Sequence, residues 1–189
     1  MCEVDFDFKI LHQLIEETAL DMIQATLSPI REYKSLLSVQ TPVVTVTADD
    51  RTTQTMTRTS PDHIYIHGRL EDSAVFSYSL RAGPAPPNSP VFNWNIHGTE
   101  GQIQITADTL LMRSFAQIRI VLQKTGGDTE DVKIEEDKYN RMNLGLATNT
   151  ARLYAAFADR SHGGEYPDFN LAEERYHIVS GTQSAGRRS

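Results

Sequence analysis

A single cysteine, Cys2, stands in a chain of 189 residues. That excludes an intramolecular disulfide framework and any multi-cysteine zinc or iron–sulfur centre. Basic side chains are the minority, 18 against 25 acidic ones, which leaves a net charge of −7. Nucleic-acid phosphates and anionic membrane surfaces both call for the opposite balance, so neither is expected as a partner. No apolar run approaches the ~18 residues that mark a transmembrane helix. The first residues, Met1-Cys2-Glu3-Val4-Asp5, are acidic where a signal or organelle presequence is basic, and a cytoplasmic location is expected. Several motifs are also absent: the G-x-S-x-G elbow, the G-x-x-x-x-G-K-[ST] phosphate loop, H-E-x-x-H and G-x-G-x-x-G. The first 40 residues contain no strand–Gly-loop–helix unit. The ordinary means of holding a pyrophosphate are therefore lacking, and no cofactor is expected.

What is present fits one ordinary domain spanning 1–189, with 181–189 as a flexible tail. A chain this long buries roughly 70% of its unfolded surface and needs no staple. Ile10 to Leu27 carries a 3.6-residue apolar period and predicts a helix that Ser28-Pro29 ends. From Thr41 onward the period is two. Val43 to Thr47, His63 to Leu70, Ala74 to Leu80, Phe92 to His97, Gln102 to Thr106 and Gln117 to Gln123 read as strands. Short links between them mean antiparallel pairing. Asp49 to Ser60, the four-proline stretch Gly83 to Pro90 and Thr125 to Asp131 read as loops, the first with room for an edge strand. Helices return over Leu144 to Ala158 and from Asp168, a candidate N-cap, to Val179.

The expected class is α+β: a mostly antiparallel sheet of about six strands, with helices on one face and an open polar face on the other. On that open face fall His63, Tyr65, His67, Ser77, Asn93, Asn95, His97, Gln102 and Gln104. Amides and imidazoles outnumber lysine and glutamate there. The composition suits either a binding or pairing surface or a solvated face. His63 and His67 do not form a metal site, because four residues along a strand span about 13 Å. Glu135-Glu136-Asp137 reads as a solvated charge run, and Trp94 as core.

Phe92 to Gly101, FNWNIHGTEG, resembles the W-x-I-x-G-T-x-G hairpin in the C-terminal domain of the Gfo/Idh/MocA oxidoreductases. Arg58 to Ile64 resembles the fungal branch of that family that contains the galactose-pathway regulator. Leu153 to Phe157, followed by Pro167 to Ala172, resembles the family's closing helix pair. The resemblance spans roughly Ala19 to Ser184. It implies a substrate and dimer domain whose N-terminal Rossmann partner is missing. The family's H-x-x-D motif falls on Thr18-Ala19-Leu20-Asp21: Asp21 matches, and Thr18 replaces the proton-transferring histidine. An unperturbed hydroxyl cannot do that work near neutral pH.

Three functions follow as expectations. The first is a stand-alone, redox-degenerate domain that binds a small ligand and forms a homodimer through its open sheet face. The second is a cofactor-independent lyase, isomerase or cyclase on a carbonyl-bearing metabolite. Its acid/base candidates are His97, His67 and Asp21, with Tyr65, Asn93, Asn95 and Thr18 as substrate contacts. The third is one subunit of a split nicotinamide-dependent oxidoreductase.

Overall fold

The computed structural model describes residues 18–47, 51–83, 85–108, 118–135, 137–142, 144, 147–159 and 169–186. The chain, read from its length as one domain, divides into two compact units: Met1–Gly83 with Asp168–Ser189, and Pro84–Pro167.

The first unit opens with helix α1, described over 18–26. Ala19, Leu20 and Ile23 make its buried face. Its last helical bond runs from Leu27 N–H to the Ile23 carbonyl at 2.9 Å, and Pro29 stops the helix where expected. Strands β1 (Ile30–Ser38), β4 (His63–Leu70) and β5 (Val75–Arg81) form an antiparallel sheet in the order β1-β4-β5. A separate antiparallel hairpin, β2 (Val43–Thr47) and β3 (Thr53–Thr57), lies between β1 and β4 in sequence. Ile64, Ile66, Leu70 and Leu80 are the buried apolar side chains of the three-stranded sheet. Each such burial contributes about 1.5–3 kcal/mol.

Helix α4 (Phe169–Gly186) docks on β1 by polar bonds. The Tyr33 hydroxyl donates to the Ile178 carbonyl at 2.9 Å, and Ser35 Oγ donates to the Thr182 carbonyl at 3.1 Å. Thr182 is fully buried. A Cβ on Gly181 would stand 2.2 Å from the Tyr33 hydroxyl, so only glycine admits this approach. Residues 181–186, read from the sequence as the start of a tail, continue α4. At Gly68 a Cβ would meet the Glu32 carbonyl at 2.1 Å, beside the bulge between Ile30 and Glu32.

The second unit holds one antiparallel sheet, β6 (Phe92–His97), β7 (Gly101–Ala107), β8 (Ile118–Lys124) and β9 (Thr129–Val132), in that order. Phe92, Trp94 and Ile96 pair with Ala107, Ile105 and Ile103, and these pair in turn with Ile118, Ile120 and Leu122. That gives one apolar face. Ala107 is its fully buried member, and Trp94 is half-buried. Helices α2 (Lys138–Arg141) and α3 (Ala147–Ala158) follow. Asp137, read as part of a solvated run, caps α2: its Oδ1 accepts from the N–H groups of Tyr139 and Asn140, each at 2.9 Å.

The α+β class with antiparallel strands is as expected. The expected sheet of about six strands resolves into three sheets holding nine strands among the described residues. Strand alternation assigns a face within each strand but does not say which strands share a ladder. Beyond the expected six, β3 fills the loop that had room for an edge strand, and two further strands fall outside the expected set. β1 hides because its inward positions Tyr33 and Ser35 are polar and face helix backbone. β9 hides because all four of its residues are exposed. The expected cap at Asp168 and the helical residues before 18 lie outside the described residues.

Candidate functional site

The loop Arg58-Thr59-Ser60-Pro61-Asp62 enters β4 and carries a carboxylate inward. Asp62 is 1% exposed. Its Oδ1 accepts from the Gln40 backbone N–H at 2.7 Å and from His63 Nδ1 at 3.0 Å. Its Oδ2 accepts from the Thr41 N–H at 2.8 Å and from Arg58 Nη1 at 2.9 Å. Burial alone would raise its pKa. The bonds from Gln40, His63, Thr41 and Arg58 outweigh burial and hold the carboxyl well below the usual carboxylate range. An ionised carboxylate only accepts, so the proton on the near side of His63 sits on Nδ1, and Nε2 is left for other partners.

His63 lines an open cleft of about 520 Å³ with Leu36, Leu37, Ser38, Gln40 and Tyr65. The register of the sheet builds it. Ser38 lies opposite His63, which lies opposite Arg81; Leu36 lies opposite Tyr65, which lies opposite Ser79. The next row is Lys34, His67 and Ser77. These positions alternate with Tyr33 and Ser35, the residues that meet α4, so they form the face opposite that helix. Tyr65 stacks on His63 with ring centroids 6.5 Å apart. Ser38 Oγ accepts from Gln40 Nε2 at 2.6 Å.

The second unit has its own polar face. Its rows are Asn93–Thr106–Arg119, Asn95–Gln104–Val121–Asp131 and His97–Gln102–Gln123–Thr129. Gln104 Nε2 donates to Asn93 Oδ1 at 3.1 Å, and Gln102 Nε2 donates to Gln123 Oε1 at 2.5 Å. Arg119 and Asp131 form a two-bond ion pair at 2.7 and 3.1 Å. It raises the guanidinium pKa and lowers that of the carboxyl.

The candidate residues therefore do not share one sheet. Tyr65 and His67 lie exposed on β4, whereas Asn93, Asn95 and His97 lie exposed on β6. No ladder sets His67 against His97: β4 pairs with β1 and β5, and β6 with β7. Asp21 is ion-paired with Arg175 of α4, and Thr18 is exposed on α1. Asp62, Arg58, Ser38 and Gln40 were not legible as site residues. The available signal was an aspartate directly before an alternating strand, with an arginine four residues earlier. Among the described residues no three His, Cys, Asp or Glu side chains gather as a metal site, and no helix is long and apolar enough to cross a membrane.

This arrangement of antiparallel sheets and helices is the fold of the C-terminal part of Gfo/Idh/MocA-type oxidoreductase chains. The NAD-binding oxidoreductase of Klebsiella pneumoniae superposes with a TM-score of 0.64 at 13% identity, over 91% of this chain and 47% of that one. The more particular likeness is to Gal80p: residues 16–107 match the family described as Gal80p, C-terminal domain. A super-repressor mutant of Gal80p from Saccharomyces cerevisiae aligns with a TM-score of 0.72 at 15% identity, over 92% of this chain and 47% of that one. The transcriptional regulator Gal80p from Kluyveromyces lactis gives 0.69 at 20% identity, over 92% and 43%. The chain thus spans about half the length of these relatives. No curated protein sequence matches it. The resemblance read from the Trp94–Gly101 hairpin and its companions is borne out.

Proposed function

We propose that the chain is a non-redox binding module of the Gal80p C-terminal type that pairs with a second copy through the polar face of β6–β9. The observation that carries this reading is the near-neutrality of that face. Its three rows hold amides, hydroxyls, one imidazole and one valine, with no lysine or glutamate, and its Arg119–Asp131 charges cancel. Carboxamides both donate and accept, so such a face can satisfy a copy of itself across a two-fold axis. A face rich in charge of one sign would repel its copy instead.

The non-redox part rests on Thr18 and Asp21. A hydroxyl occupies the position where the resembling family places its proton-transferring histidine, and the neighbouring carboxylate is committed to Arg175. Light scattering on the eluting protein, at several concentrations, tests the pairing. The expected mass is that of two chains, and Gln104→Arg, which sets like charges against each other, returns it to one. A single-chain mass throughout, or a dimer indifferent to Gln104→Arg, would overturn the pairing. Saturable NADH or NADPH fluorescence enhancement would overturn the non-redox reading.

A further inference from the structure

The cleft on β1-β4-β5 is polar without being charged. Among the described residues, no lysine, arginine, aspartate or glutamate lines it. The carboxylate behind it, Asp62, is 1% exposed and is ion-paired with Arg58 at 2.9 Å. A ligand in this cleft therefore meets hydrogen-bonding groups rather than a counter-charge.

Two of those groups, Ser38 and His63, are direct cross-strand partners on β1 and β4. Side chains so placed start about 5 Å apart, and one ligand atom between them can reach both. Their roles are fixed and opposite. Asp62 Oδ1 takes the Nδ1 proton of His63 at 3.0 Å, so Nε2 keeps a bare lone pair and accepts. Gln40 Nε2 fills a lone pair of Ser38 Oγ at 2.6 Å, which leaves the Ser38 hydrogen to donate. The shared ligand atom must give a proton to His63 and take one from Ser38. A neutral hydroxyl does both through a single oxygen. An ionised carboxylate cannot donate, and an ammonium cannot accept.

The body of the ligand has a surface to lie on. Leu36 and Tyr65, both exposed, are the next cross-strand pair on this face. The Tyr65 ring stacks on His63, with 27° between the planes. A flat ring whose hydroxyl reaches His63 can lie along Tyr65 as well. The cleft of about 520 Å³ is of small-molecule size.

We propose that the Ser38–His63 pair, with Leu36 and Tyr65 as its wall, binds the hydroxyl of a small phenolic ligand. The phenol O–H donates to His63 Nε2, and the phenol oxygen accepts from Ser38 Oγ. The assignment is independent of self-association, which uses the other sheet.

Nuclear magnetic resonance on the labelled full chain tests it. Long-range proton–nitrogen spectra of the imidazoles should find the His63 proton on Nδ1 and Nε2 bare. Titration with 4-methylphenol should give saturable amide shifts at Ser38, His63 and Tyr65 and move the Nε2 resonance. Three further probes each remove one feature. 4-Methylanisole keeps the ring and loses the proton, and it binds about tenfold more weakly, the loss expected for one hydrogen bond. Benzoate, which only accepts, is weaker too. 4-Methylcyclohexanol keeps the hydroxyl and loses the flat ring; it is weaker by about threefold to tenfold, as is 4-methylphenol on a Tyr65→Leu variant. Ser38→Ala also weakens 4-methylphenol. A His63 proton on Nε2, no saturable response to 4-methylphenol, any of the three probes binding as tightly as 4-methylphenol, or a Ser38→Ala variant that binds like the parent would each overturn the assignment.

Discussion

The two open sheet faces of this chain differ in how they hold polarity. On β1-β4-β5 the polar groups are ionic and anchored from below: a buried Asp62 gathers four donors and fixes His63 at the cleft. On β6–β9 the polar groups are amides that bond sideways to each other, Gln104 to Asn93 and Gln102 to Gln123. Anchoring from below fixes the direction of one group and suits recognition of a compact ligand. Sideways bonding makes an even surface and suits a broad, self-complementary partner. Similar strands thus carry different chemistry, set by whether a charge is buried beneath the sheet.

Removing that charge has the largest expected effect. Asp62→Ala leaves Arg58, His63 and two backbone N–H groups without their acceptor, and the loss expected in urea unfolding is about 3–5 kcal/mol. The pH dependence has a defined sign. The folded pKa of Asp62 lies below its ordinary value of 3.8. Its contribution is therefore fully present above that value and lost as pH falls from there toward the folded pKa. Asp62→Asn removes this acid-sensitive component, and an unchanged acid transition would show that the carboxylate does not anchor the face.

Backbone crowding gives the next effect, one probe in each sheet. Gly68→Ala puts a Cβ 2.1 Å from the Glu32 carbonyl, and Gly101→Ala puts one 2.3 Å from the Gln123 carbonyl. Each is expected to cost about 1–3 kcal/mol, a fall in Tm of about 2–4 °C per kcal/mol. Amide exchange then localises the damage: β1 and β4 open in the first variant, β7 and β8 in the second. Loss of protection in the opposite sheet would mean that the two faces do not respond separately.

The smallest effect is at α2. Asp137 receives the Arg152 guanidinium at 2.8 and 3.1 Å and two backbone N–H bonds, and these hold its pKa down to about 2. The cap persists as pH falls past 3.8 and is lost on approach to about 2. The Tyr139 and Asn140 amide shifts should titrate with that low midpoint. In an Arg152→Gln variant the midpoint should move up toward the ordinary carboxylate value; a midpoint that stays put would assign the shift to the backbone bonds alone.

Much of the strand content was legible because period-two alternation survives burial of one face. His63 to Leu70 and Phe92 to His97 were expected with the bounds they have. The open positions of Tyr65 and His67 followed from the same alternation. β1 was not legible, since its inner residues answer to helix carbonyls rather than to an apolar core. Gly181 and Thr182 read as the start of a tail, yet they belong to α4, and Gly181 is small because the Tyr33 hydroxyl passes close by. Asp62 was not legible because a lone aspartate before a strand looks like turn chemistry until its four donors converge from distant positions.

The bond from Tyr33 to Ile178 joins positions 145 residues apart, and that from Ser35 to Thr182 joins positions 147 apart. Everything in the second compact unit, Pro84–Pro167, lies between those ends in sequence. During synthesis the β6–β9 sheet is therefore complete before α4 exists, whereas β1 waits for its covering helix until Phe169–Gly186 emerges. In that interval the apolar side of β1-β4-β5 lacks its lid. The cell's exposure to a sticky nascent surface is set by the time needed to translate one inserted unit.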